Sequence, residues 1–117
     1  MKRVVPILRF FDEALTKRFY IDFLEFTVDW EHRFEPDMPL YMQLSKDDCI
    51  LHLSEHFGDC NPGSAIRVEV EDARRLQEHL LAKTFKFARP GFDSHWNQVS
   101  LTDPSGNKLH FYTVQPQ

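Results

Sequence analysis

Apolar and polar residues alternate with a period of two in several short runs, and these runs predict the architecture. In Cys49 to Ser54, Leu51 and Leu53 share one side while His52, between Ile50 and Ser54, faces the other. Lys108 to Thr113 repeats the form, with Leu109 and Phe111 on one side and Lys108, His110 and Tyr112 on the other. Further strands are predicted over Arg3 to Phe10, Phe26 to Phe34, Leu40 to Ser45, Ala65 to Val70, near Lys86-Phe87-Ala88, and over Gln98 to Thr102. Two stretches change to a helical period. After Asp12, placed as an N-cap, Leu15, Phe19 and Phe23 recur at i, i+4, i+8, which predicts a helix of about three turns. After Asp72, Ala73, Leu76 and Leu80 form the second stripe.

The order is strand, helix, three strands, stated twice. Asp12 and Asp72 lie 60 residues apart, and His52 and His110 lie 58 apart. A tandem pair of βαβββ units explains this spacing. It gives a single α+β domain over residues 1–117, with unit one over 1–54, a breaker-rich linker over 55–64 and unit two over 65–117, the units forming a curved mixed sheet around a cleft. The helices cover the face bearing Leu51, Leu53, Ile66, Val68, Val70, Leu109 and Phe111. The other face carries Val5, Ile7, Arg9, His52, Arg67, Glu69, His110 and Tyr112, too polar for core and too apolar for plain surface.

Composition narrows the partners. A net charge of −4 with mixed signs leaves no basic stripe, which argues against nucleic acid and anionic membrane. No apolar run approaches the ~20 residues of a membrane span, so a cytoplasmic location is expected. Two cysteines, Cys49 and Cys60, are too few for a disulfide framework or a zinc knuckle and are expected as free thiols. Eleven phenylalanines raise the expectation of an aromatic-lined cavity. Trp30 and Trp96 stand among charged and polar neighbours rather than in apolar runs, and together with Phe34, Tyr41, Phe57 and Tyr112 they are the rings expected beside a cleft.

The two units, the segment Phe19-Tyr20-Ile21-Asp22-Phe23-Leu24-Glu25-Phe26, similar to FYrdfLGF, the Ser54-Glu55-His56-Phe57-Gly58-Asp59 loop and the Asp103-Pro104-Ser105-Gly106-Asn107 turn resemble the vicinal oxygen chelate superfamily. The closest likeness is to its glyoxalase/bleomycin-resistance group, in particular the bleomycin-resistance-like branch. That resemblance implies the paired βαβββ fold and a homodimer with its cleft at the subunit interface. Metal-dependent members carry ligands at four positions that fall here on Val5, His52, Ala65 and His110. Two of these side chains are aliphatic, so no metal cofactor is expected; a divalent ion, if bound, would use His52 and His110, with Glu69, Glu55 or His56 as a possible rescue. The resemblance then implies a protein that sequesters an aromatic or partly charged ligand without catalysis, as in antibiotic resistance. The expected binding residues are His52, His110, Arg9, Arg67, Glu69, Trp30, Phe34, Tyr41, Phe57, Trp96 and Tyr112. Arg9 and Arg67 draw the expectation toward a carboxylate or phosphonate. The alternative is a lyase, isomerase or dioxygenase of the same superfamily, metal-dependent or metal-free, that uses His52 and His110. Residues 85–96 are expected as an irregular lip over the cleft, and the Trp96-Asn97 step departs from the Trp-Gly common in the family.

Overall fold

A computed structural model describes residues 1–83 and 89–114. Each unit forms its own four-stranded mixed sheet. The first contains β1 (Ile7–Arg9), β2 (Thr27–His32), β3 (Tyr41–Lys46) and β4 (Cys49–Ser54), in the order β1-β4-β3-β2. The second contains β5 (Ala65–Glu69), β6 (Gly91–Asp93), β7 (Gln98–Thr102) and β8 (Lys108–Tyr112), in the order β5-β8-β7-β6. The first and last strands of each unit pair in parallel, and the remaining neighbours are antiparallel. Parallel pairing requires a crossover, which the helix between the first and second strands supplies. The strand expected near Lys86-Phe87-Ala88 lies outside the described residues. The next strand is Gly91–Asp93, inside the stretch expected to be irregular. At three residues beside a Pro-Gly step it is too short to show a period.

The alternation places the core as expected. Leu8, Leu51 and Leu53 in the first sheet and Val99, Leu101, Leu109 and Phe111 in the second are buried, and they join one apolar cluster that spans both units. The first helix keeps Phe19 and Phe23 of its expected stripe inward and departs from it at Leu15. Asp12 caps it, its carboxylate accepting from the Leu15 amide at 2.9 Å, but the α-helix (α1, Glu13–Lys17) widens at once into a π-helix over Arg18–Phe23. The Leu24 amide reaches back five residues to the Phe19 carbonyl at 2.9 Å. The wider turn rotates the inward face. Thr16, Phe19, Tyr20 and Phe23 are buried, whereas Leu15 is 42% exposed. Asp72 caps α2 (Ala73–Leu81) by accepting from the Arg75 amide, and Ala73 and Leu80 face inward.

Specific contacts lock the units together. Tyr20 donates to Asp103 at 2.7 Å, the Asn107 side-chain amide donates to the Arg9 carbonyl at 2.7 Å, and the Phe11 amide donates to Ser105 Oγ at 3.1 Å. The Asp103–Asn107 turn therefore closes its hairpin and also grips the first unit. Gly106, at φ 90°, supplies the left-handed residue that the turn requires. Elsewhere Lys83 donates to the carbonyls of Asp22 and Phe23 at 3.0 and 2.8 Å, and Glu25 pairs with Lys83 and His79 at 2.6 and 2.7 Å. Glu25 stands at φ 66°, where the family segment has its glycine, and these two partners hold it there. No described helix is long and apolar enough to cross a membrane.

Candidate functional site

Helices cover one face of each sheet, so the side chains of the other face are free to meet a ligand. On the first sheet, strand register determines which of them meet. His52 lies opposite Gln43 on β3 and Ile7 on β1. Tyr41 donates its hydroxyl proton to His52 Nδ1 at 2.7 Å, and His52 Nε2–H donates to Gln43 Oε1 at 2.9 Å. The Gln43 amide nitrogen donates to Asp29 Oδ2 at 3.0 Å, and Ser45 donates to the other Asp29 oxygen at 2.9 Å. These bonds, Gln43 first and Ser45 second, hold the Asp29 carboxyl below its usual range. The chain of donors ends on a charge, so each group has one orientation, and both nitrogens of His52 are in use. Trp30 stacks on Tyr41 with ring centroids 5.9 Å apart and stands edge-on to His52 at 5.3 Å, while remaining 42% exposed. The result is a fixed aromatic platform open on one side.

The second sheet carries the repeat-equivalent set with different chemistry. His110 lies opposite Ser100, whose hydroxyl is 2.7 Å from His110 Nδ1, and opposite Arg67 on β5. Arg67 lies over the Tyr112 ring with its guanidinium carbon 4.0 Å from the centroid. A recess of about 360 Å3 opens among Arg67, Trp96, Gln98 and His110. Trp96, 60% exposed, is presented by the turn after β6, where Asn97 takes φ 48°. Asparagine tolerates that left-handed conformation, and it does here what glycine does in the family's Trp-Gly step.

The other expected residues fall elsewhere. Phe34 packs edge-on against His32 at 5.0 Å and His56 at 6.4 Å, at the end of the first sheet where β3 begins, and Phe57 in the linker is 97% exposed. Arg9 lies beside the Phe11 ring at 5.0 Å, and its Nη1 is buried with no hydrogen-bond partner among the described residues. Glu69 lines a different cavity of about 530 Å3 between the units, with Cys49, Ile50, Leu76 and Phe111 around it. Burial pushes both the Cys49 and the Cys60 thiols up, with the Asp59 charge adding to the rise at Cys60, so neither is poised as a thiolate. The sequence reading missed Gln43, Asp29, Ser100 and Gln98; period two put them on the correct face, but nothing in the sequence paired them with the histidines.

The donor set does not fit a metal site within one chain. Strand register puts Ile7 beside His52, and Arg67, a cation, beside His110; Val5 precedes β1, and Ala65 pairs with Lys108. That register replaces the expected Val5 and Ala65 positions with two side chains that also cannot ligate. His52 would have to give up the Tyr41 bond to offer a lone pair. Among the described residues no group of three or more His, Cys, Asp or Glu side chains is arranged to hold a metal ion.

A family model described as a glyoxalase superfamily protein matches residues 1–116. A comparison with curated proteins finds no match. Among solved structures, the chain is similar to the bleomycin-binding protein of bleomycin-producing Streptomyces verticillus, solved with copper(II)-bleomycin, at 25% identity over 98% of each chain with a TM-score of 0.70. It shares its fold with the antibiotic binding protein TnmS3 of Streptomyces sp. CB03234, at 17% identity over 98% of each chain with a TM-score of 0.70. It shares that fold equally with the trypanothione-dependent glyoxalase I of Leishmania major, at 17% identity over 97% of this chain and 87% of that one with a TM-score of 0.71.

Proposed function

The chain belongs to the glyoxalase superfamily, and we propose that within it this protein binds a planar aromatic small molecule against the helix-free faces of its sheets and performs no catalysis on it. The observation that carries this reading is the platform of Trp30, Tyr41 and His52. Its rings are fixed and open, and its histidine has both nitrogens committed to hydrogen bonds, which suits holding a flat ligand and ill suits a base or a metal ligand. Each ring pair contributes roughly 0.5–1.5 kcal/mol beyond area burial, so a few stacked rings give useful affinity. The likeness to a bleomycin-binding protein supports an antibiotic as the ligand and sequestration as the role.

The protein acts as a homodimer in this reading. β1 and β5 each pair on one side only among the described residues, and the helix-free faces need a facing surface to become a cleft. No divalent metal is required. A second reading, a superfamily enzyme, draws on the shared fold of glyoxalase I and on His110, whose Nε2 has no partner among the described residues. Titration of the protein with bleomycin and other planar antibiotics, followed by tryptophan emission, tests the proposal. Quenching that saturates, with affinity about tenfold weaker in Trp30→Ala, is the expected result. Turnover of a hemithioacetal or catechol by metal-loaded protein, lost in His110→Ala, would replace the binding reading with the enzymatic one.

A further inference from the structure

The reading above leaves the ligand's charge open, and the second sheet closes that question. We propose that the recess among Arg67, Trp96, Gln98 and His110 receives the acidic group of an aromatic acid, with the Arg67 guanidinium and His110 Nε2–H holding the carboxylate and the Trp96 indole holding the ring. The proposal rests on the aromatic-binding reading and specifies its ligand class.

Arg67 is held in place by a ring and not by an acid. Its guanidinium carbon lies over the Tyr112 ring, 4.0 Å from the centroid, and none of the ion pairs among the described residues includes it. With no acid on it, the guanidinium keeps its fork of N–H donors for a ligand, and that fork grips a carboxylate through two parallel bonds. The Ser100 hydroxyl, 2.7 Å from His110 Nδ1, occupies that nitrogen. When Ser100 donates there, the ring proton sits on Nε2, so the imidazole offers a second donor. Strand register makes Arg67 and His110 direct neighbours on one face, and both line the recess with Trp96 and Gln98.

The repeat isolates the feature. In the first unit the position beside His52 is Ile7, and both nitrogens of His52 are consumed. In the second unit the same position is Arg67, and one nitrogen of His110 remains available. Glu69, two residues along the strand on the same face, lines the cavity between the units, which Arg67 also borders, and does not line this recess; no ion pair joins the two among the described residues. The faces therefore offer an aromatic platform with no cation beside its histidine in one unit and a cationic one in the other, which suits a ligand with a flat body and an acidic end.

Three probes with one ring system and different charges test this: 2-naphthoate, 2-naphthamide and 2-naphthylmethylammonium, titrated into 15N-labelled full-length protein and followed at the Trp96 indole N–H. Naphthoate is expected to bind about tenfold more tightly than the amide, and the ammonium probe more weakly than either. Arg67→Gln should remove the preference for the acid over the amide, and Arg67→Lys should restore part of it. An amide or ammonium probe that binds as tightly as the acid, or a preference that survives Arg67→Gln, overturns the proposal and leaves the aromatic-binding reading standing. Failure of all three probes to move the Trp96 signal overturns the proposal, and failure to move the Trp30 indole N–H as well overturns the aromatic-binding reading with it.

Discussion

The Asp103 carboxylate accepts four hydrogen bonds, from the Ser105 and Asn107 amides, the Asn107 side chain and the Tyr20 hydroxyl, at 2.7 to 2.9 Å. Burial, then the neighbouring Asp103 charge, pushes the Tyr20 hydroxyl well above its ordinary value, so it stays a donor near neutral pH. Asp103→Ala leaves the Tyr20 hydroxyl, the Asn107 backbone amide and one of the two Asn107 side-chain N–H donors without their acceptor and is expected to cost about 3 kcal/mol or more, read as a lower urea midpoint at constant m-value. Asp103→Asn should fall between the two, because it keeps an acceptor and loses the charge. The Asp-Pro-x-Gly-Asn run announces a turn in the sequence, since turn chemistry is local. Its second role is not legible there, because Tyr20 stands 83 residues earlier. The same division holds on the helix-free faces. Alternation alone puts His52 and His110 on the face without helices, but the pairing of His52 with Gln43, and of His110 with Ser100, depends on how strands align with one another, and a sequence does not state that alignment.

At the scale of the element, the first helix is where local reasoning put Phe19 and Phe23 on the correct face and misplaced Leu15. Leu15, Phe19 and Phe23 share a stripe only while the helix keeps 3.6 residues per turn, and the π-helix over Arg18–Phe23 breaks that count. Phe19→Ala is therefore expected to cost about 3–5 kcal/mol and Leu15→Ala under about 1 kcal/mol, a contrast that chemical denaturation of the two variants measures. At the end of the same helix, Glu25 is held down to about 2, by the Lys83 hydrogen bond first and that of His79 second. A carboxyl whose folded value lies below its unfolded one stabilises the fold above the unfolded value and loses that contribution as pH falls. Wild type should thus exceed Glu25→Gln in melting temperature near neutrality, by about 2 °C for a pair this exposed. The gap should close as pH falls from about 4.5 toward 2.

At the scale of the molecule, the two units share an apolar core but not a sheet. The open edges at β1 and β5 and the uncovered ring-bearing faces are the surfaces a second copy would close, so sedimentation equilibrium in the micromolar range is expected to return twice the protomer mass. A protomer mass throughout that range would count against a cleft shared between chains. The contact between the units has a direction as well as a strength. Tyr20, the Arg9 carbonyl and the Phe11 amide belong to the first unit, whereas Asp103, Ser105 and Asn107 belong to the second. The residue 60 positions after Tyr20 is Leu80, which has no hydroxyl to give, so the second unit cannot stand in for the first. Cutting the chain within Asn61-Pro62-Gly63 should therefore yield a split protein whose halves recognise each other and not themselves. Co-expressed, they are expected to co-purify as one-to-one pairs, while each half alone aggregates, which would make this fold a candidate for fragment complementation.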